Sequence, residues 1–384
     1  MGVRARQRRP ARLPAEYTGD GSGAPRFYRP ALDVIGRPHV LVHRGDRTRL
    51  TVGGRSLIAD EVEFMLGGNH RIDWVTAFAL REVYGLPGAY VEGNPWSKGD
   101  IGVGSDVVIG RGARILSGLR IGDGAVVLPY SVVTRDVRPG QVVAGHPAVV
   151  VASRPPGTGP VLPYRATAMT ASVRVRRATA RILRSAAARI SNDPLPGFPA
   201  LHDAPAGPQP VVMGRASYFE PVVRSEGDSE VLVEIGPFAS VSYDTEFLFP
   251  SQAFHQSRVA QRSPVGSDST SAATVGGGNL RRTVVGADTW ITRGTRVVGE
   301  ITIGPGAVVG AYSVVYDDVR PYSIVAGNPA VEVGRRFDDQ TVAALLRIAW
   351  WDWPEEVVKE RVRYLCSPDV GAFIERYDPG PGSS

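Results

Sequence analysis

From Val103 onward a branched aliphatic residue returns at every sixth position: Val103, Ile109, Ile115, Ile121, Val127 and Val133. Four residues beyond each stand Val107, Ala113, Leu119, Ala125, Ser131 and Val137, all small or medium-sized and uncharged, with Gly104, Gly110, Gly122 and Gly124 among the positions between. A period of six fits neither a 3.6-residue helix nor an alternating strand. It predicts a coil of three short strands per turn, each sending its aliphatic inward and turning at a corner where glycine tolerates unusual backbone angles. The register returns 182 residues later in Val285, Ile291, Val297, Ile303, Val309 and Val315, with Thr289, Thr295, Ile301, Ala307, Ser313 and Val319 four further on. A fold built on internal repeats, in two copies, is therefore expected.

Weaker coils precede each block: Val52, Ile58 and Phe64 with Ser56 and Val62 before the first, Ile235, Val241 and Phe247 with Ala239 and Thr245 before the second. In each copy a stretch without the repeat then intervenes, 65–100 and 248–283, with a histidine near its start, His70 and His255. Loops thrown out from a rigid scaffold are where binding and catalytic residues concentrate. Beyond the second block the period becomes helical. Asp338 or Asp339 can cap a helix with Val342, Leu345, Leu346 and Trp350 on its apolar face, and Pro354 fits the first turn of another with Val357, Val358, Val362 and Leu365. Between the copies, Met169, Val173, Ala180, Leu183, Ala187 and Ile190 recur at helical spacing with arginines on the other face. That helix is expected to pack its Ala-rich stripe on the first module, since it has no large aromatic to anchor in lipid.

At 384 residues, with 43% apolar and 21% charged, the chain holds two or three domains' worth at roughly 150 residues each. The single cysteine, Cys366, excludes an intrachain disulfide and a thiolate metal cluster, and cytoplasm is the expected compartment. No run reaches the apolar length of a membrane span, and the charged start, without an apolar region behind it, does not read as a signal peptide. Of the net charge of +6, five charges come from Arg4, Arg6, Arg8, Arg9 and Arg12 and seven from arginines between Arg165 and Ile190, which leaves the remainder mildly acidic. No basic face with interleaved aromatics is visible, so nucleic acid is not an expected partner. Gly102-Val103-Gly104-Ser105-Asp106-Val107 starts like a dinucleotide fingerprint but ends in Val. His39 and His43 share a strand face without a third ligand close by, so no metal site is expected.

Three segments resemble one family. Gly67-Gly68-Asn69-His70-Arg71-Ile72-Asp73-Trp74-Val75-Thr76, followed by Lys98-Gly99-Asp100, resembles the active-site loop of the hexapeptide-repeat acyltransferases, specifically the xenobiotic branch that acetylates chloramphenicol or streptogramins. Ala144-Gly145-His146-Pro147-Ala148, answered by Ala326-Gly327-Asn328-Pro329-Ala330, is similar to that family's exit from the last coil. Phe337 to Leu365, with Trp350-Trp351-Asp352-Trp353-Pro354, resembles its helical C-terminal cap. The resemblance implies a mainly β fold of two left-handed parallel β-helix modules with an interdomain helix and a helical C-terminal cap. The expected division is a basic disordered N-terminus (1–25), a first module (26–153), a linker with the Arg-rich helix (154–209), a second module with cap (210–377) and a disordered tail (378–384).

The same resemblance implies acetyl-CoA as acyl donor, a small hydroxyl- or amine-bearing acceptor such as an antibiotic, secondary metabolite or sugar, and a homo-oligomer, either a trimer or a pseudo-symmetric ring, with sites between neighbouring prisms. Acetyl transfer needs the acceptor's proton removed as it attacks, and imidazole suits this because its pKa lies near neutrality. His70 is the expected catalytic residue, with Asn69, Asp73 and Trp74 at the substrate. His255 is the second candidate, although Phe254 and Gln256-Ser257-Arg258 surround it and Leu280-Arg281-Arg282 stands where Lys-Gly-Asp would be. The donor site is expected at Ala144, Gly145 and Pro147, and at Ala326, Gly327 and Pro329, with Arg154, Arg335 and Arg336 meeting the phosphates. Without a Gly-x-Ser-x-Gly elbow, direct transfer is expected. The alternatives are a scaffold that keeps the prism without transfer, or one active module paired with a structural one.

Overall fold

In a computed structural model of the chain the described residues are 16–18, 28–31, 34–36, 38–42, 47–89, 96–154, 210–218, 221–225, 230–250 and 280–380. His255, the interdomain helix and most of the basic N-terminal stretch lie outside them. The chain divides into two compact units. Unit 1 is Met1–Arg71 with Ala79–Phe198, and unit 2 is Ile72–Phe78 with Pro199–Ser384. The expected first module, 26–153, thus differs from unit 1 in an important way: seven residues of its histidine loop belong to the other unit.

In unit 1 the chain visits three sheets in rotation. Val103 pairs with Ile121, Ile109 with Val127 and Ile115 with Val133, all in parallel, so one full turn of the coil takes three six-residue steps. Val52, Ile58 and Phe64 pair in the same way with Val103, Ile109 and Ile115, which makes the stretch between Phe64 and Ile101 an insertion between two consecutive coils. Every position of the six-residue register is buried, from Phe64, Ile109, Ile115 and Val127 at 0% exposed to Leu119 at 8%. The reason is geometric: each two-residue strand has one inward position, and the side chain four residues on fills the corner behind it. The last coil ends in an antiparallel hairpin, Gln141–Gly145 with Ala148–Ser153. At the other end a strand, Glu16–Thr18, pairs antiparallel with His39–Leu41 inside the stretch expected to be disordered.

Unit 2 repeats the plan. Val285 pairs with Ile303, Ile291 with Val309 and Val297 with Val315, and the hairpin Ser323–Gly327 with Ala330–Arg335 closes the stack. Three buried hydroxyls at corner positions are satisfied locally: Thr289, Thr295 and Ser313 donate to the carbonyls of Gly286, Thr292 and Gly310 at 2.8, 2.7 and 2.6 Å. Asp338 caps the helix Asp339–Ile348 by accepting from the Thr341 N–H at 2.8 Å. This helix stops short of the expected Trp350 because Ala349 takes the left-handed conformation, φ 40°. Trp350 then lies in a separate single turn and is fully buried, and Pro354 precedes the helix Glu355–Glu360 rather than starting it. Asp378, expected in a disordered tail, accepts from Arg347 at 3.0 and 2.6 Å.

Candidate active site

The histidine loop leaves the coil of unit 1 after the strand Glu63–Met65, and its mouth is tied shut. Asn69 and Trp96 face each other as an antiparallel bridge, each N–H donating to the other's carbonyl at 3.0 and 2.9 Å. The Asn69 side-chain amide donates to Ser117 Oγ at 2.9 Å and to the Trp96 carbonyl at 3.3 Å. Ser117, buried in the coil below, also accepts from the Lys98 N–H at 3.3 Å. The return of the chain passes so close to the prism that a Cβ on Gly118, φ +75°, would meet the Lys98 carbonyl at 2.6 Å. Half-buried His70 stands at this mouth, its carbonyl accepting from the Trp96 indole N–H at 3.1 Å, while the Arg71 guanidinium lies 5.4 Å from the centre of the Trp96 ring. Trp96 and Ser117, which hold the backbone around His70, carry no sequence signal of that role.

Immediately after Arg71 the chain enters unit 2, where seven backbone groups of the segment find partners in side chains or in the cap. Arg336 donates from Nε to the Ile72 carbonyl at 3.1 Å, and from Nη2 to those of Trp74 and Val75 at 2.8 and 3.1 Å. Its Nη1 donates to the Gly306 carbonyl at 2.9 Å and to Asp288 Oδ2 at 3.1 Å, so all five guanidinium N–H groups are used. Asp288 Oδ1 accepts from Thr76 Oγ1 at 2.5 Å and from the Ala77 N–H at 3.1 Å, while Thr76 Oγ1 accepts from the Phe78 N–H at 2.9 Å. The N–H groups of Val75 and Thr76 donate to the carbonyls of Ser367 and Leu365 in the cap. Phe78 meets Phe238 edge-on at 5.6 Å between ring centres, and Phe238 lies 4.7 Å from Trp350. Both charged side chains of the Asp288–Arg336 pair are fully buried. Burial pushes the Asp288 carboxyl above its ordinary range, against the opposing pull of Arg336 and the Thr76 hydroxyl.

These contacts correct two expected site residues. Arg336 cannot meet donor phosphates, because its guanidinium is sealed inside unit 2 with every N–H occupied. Trp74, 6% exposed, is a packing residue of unit 2 rather than a surface for substrate. Asp73 remains exposed. Arg335 is paired with Asp339 and also donates to the Pro321 carbonyl, and half-buried Arg154 donates to the carbonyls of Asp106 and Gly124 at 3.1 and 2.8 Å. At the hairpin turns, Pro147 and Pro329 are exposed, Ala144 is buried and Ala326 half-buried. The N–H groups of Gly145 and Gly327 donate to the hydroxyls of Ser131 and Ser313 at 3.3 and 3.2 Å, so the two exits are built alike. Among the described residues no group of His, Cys, Asp and Glu could hold a metal ion, and no helix is long and apolar enough to cross a membrane.

The chain is similar in sequence to known acetyltransferases. Over 163 residues the chain is 31% identical to a chloramphenicol acetyltransferase of Morganella morganii, covering 40% of this chain and 74% of that protein. The chain belongs to the hexapeptide-repeat acyltransferase family. A second relative, the chloramphenicol acetyltransferase of Klebsiella aerogenes, is 35% identical over 144 residues, covering 35% of this chain and 67% of that protein. The match to the Escherichia coli chloramphenicol acetyltransferase is 43% identical over 95 residues, yet it spans only 25% of this chain and 45% of that protein. Among solved structures, a hexapeptide-repeat acetyltransferase of Vibrio cholerae aligns with a TM-score of 0.23 at 27% identity, over 33% of this chain and 58% of that one. No protein-family model matches the chain.

Proposed function

We propose that this protein is an acetyltransferase that moves an acetyl group from acetyl-CoA to a hydroxyl or amine of a small molecule, with His70 as general base. The observation that carries the reading is His70 on a loop inserted between two consecutive coils, its backbone held by the Asn69–Trp96 bridge, in a chain whose relatives are chloramphenicol acetyltransferases. In the proposed step the acceptor oxygen or nitrogen forms a bond to the thioester carbonyl carbon while the imidazole takes its proton. The resulting oxyanion then collapses, the carbon–sulfur bond breaks, and the proton held by His70 leaves with the CoA thiolate. No acyl-enzyme is required. A homo-oligomer is part of the same proposal, and light scattering on the purified chain tests it.

The deciding experiment is thiol release from acetyl-CoA against chloramphenicol, streptogramins, macrolides, sugars and amines, with wild type, His70→Ala, His255→Ala and the double variant. Loss of about two orders of magnitude or more in kcat with His70→Ala alone is the expected result, the usual range for a general base. Unchanged turnover in His70→Ala would overturn the assignment. Equal partial losses in both single variants would indicate two working loops.

A further inference from the structure

We infer that Asp288 and Arg336, in the second half of the chain, are positioning residues for His70, acting through Thr76 and the backbone of Ile72–Phe78. The inference rests on the reading of His70 as general base and adds to it a set of residues more than 200 positions away in sequence.

Three observations carry it. First, His70 is flanked along the chain by two held segments, each tied within its own unit. On one side is the Asn69–Trp96 bridge, with the Trp96 indole on the His70 carbonyl. On the other is Ile72, whose carbonyl accepts from Arg336 Nε, two residues or about 7.6 Å of chain from the His70 Cα at 3.8 Å per residue. Second, the clamp differs from its own repeat. Asp106 and Arg154 stand 182 residues before Asp288 and Arg336, and there the arginine reaches the carbonyls of Asp106 and Gly124 within unit 1. The Asp106 carboxylate is held by both Nε and Nη2 of Arg55, at 2.7 and 2.8 Å. Arg55 and Phe238 occupy the same left-handed corner of their coils, φ 56° and 58°. With Phe238 in that place, the Asp288 carboxylate turns to Thr76 and Ala77 instead of an arginine of the preceding coil. Third, stability alone does not account for the pair, because a buried ion pair is often no more stabilising than apolar residues of the same volume. What a five-donor guanidinium against three loop carbonyls, those of Ile72, Trp74 and Val75, supplies is a defined geometry.

The test uses the full chain as wild type, Thr76→Val, Thr76→Ser and Asp288→Asn, with His70→Ala as reference. Amide hydrogen exchange is followed in peptides covering 66–79, and kcat and KM are measured with acetyl-CoA and chloramphenicol or whichever acceptor is turned over. Thr76→Val keeps shape but removes the hydroxyl, and Asn at 288 tolerates the left-handed backbone, so a second folded variant is in hand if one fails. Expected are exchange at least tenfold faster within 66–79, and kcat lower by about tenfold to a hundredfold with KM within twofold, the scale of a misplacement of about 1 Å. Thr76→Ser should restore both. Faster exchange with unchanged kcat would overturn the positioning role, and so would unchanged exchange. If the wild type turns over no acceptor, the acetyl-transfer reading fails by itself, and the ring resonances of His70, assigned by loss in His70→Ala, decide the clamp. They should broaden or shift in Thr76→Val, and identical resonances would overturn it.

Discussion

Replacing Arg336 by Met keeps most of the apolar stem and removes five donors at once. The carbonyls of Ile72, Trp74, Val75 and Gly306 each lose a partner, and Asp288 is left buried with only the Thr76 hydroxyl and the Ala77 N–H. Breaking a buried pair by removing one partner typically costs about 3–5 kcal/mol. Orphaned carbonyls would add about 1–3 kcal/mol each if nothing moved. Because burial already pushes the Asp288 carboxyl toward its neutral form, and because a released loop can rehydrate, the loss is expected at about 3–5 kcal/mol rather than the sum. At about 2–4 °C per kcal/mol for a unit of this size, the unfolding temperature of the full chain should fall by about 6–20 °C in differential scanning calorimetry. The double variant Arg336→Met/Asp288→Asn removes the stranded charge and should be more stable than Arg336→Met alone. A single variant melting within 2 °C of wild type, or a double variant worse than both singles combined, would refute the argument from uncompensated buried charge.

Further expectations are more local. Phe78→Ala should destabilise by about 3–5 kcal/mol, since the ring is 1% exposed against Phe238, and urea unfolding checks it. Gly118→Ala should cost more than about 1 kcal/mol, because φ is +75° and the Lys98 carbonyl stands at 2.6 Å from the added carbon; it should also lower kcat, whereas wild-type stability and turnover would show that the return of the loop is not tightly packed. Burial raises the Glu246 carboxyl, but Arg296 and Arg224 overcome this and hold it below the ordinary value. Its contribution to stability is thus complete above about pH 4.3, the unfolded value, and is lost as pH falls through the lower folded value. Glu246→Gln should flatten the unfolding temperature against pH in that acid window, and an unchanged slope would count against the two arginines.

The coils were legible because their cause is local. A two-residue strand with one inward side chain needs an aliphatic every sixth residue, and the same spacing that identifies Val103 to Val133 also places them in the core. The cap helix was legible from Asp338, while its end at Ala349 was not, because a left-handed alanine carries no compositional mark. The histidine loop was legible as an interruption of the repeat and by its resemblance to the family's active-site loop. That its residues 72–78 are held by unit 2 depends on Thr76 meeting Asp288, a contact between distant residues that no periodicity encodes. The one trace was the recurrence of an Asp and an Arg at the same 182-residue offset as the coils. Arg336 could be read as a surface phosphate ligand for the same reason: an arginine after a coil looks identical in sequence whether it faces solvent or a backbone carbonyl.

The passage of Ile72–Phe78 into unit 2 also bears on whether the two repeat blocks can be separated. Two copies that each complete themselves can be shuffled, lost or replaced one at a time. Here a stretch coded in the first copy, including Trp74, Thr76 and Phe78, is part of the interior of the second. Deleting the second copy would leave that stretch without the residues that cover it, and deleting the first would open a gap beside Asp288 and Phe238. Neither half is expected to pack fully when produced without the other.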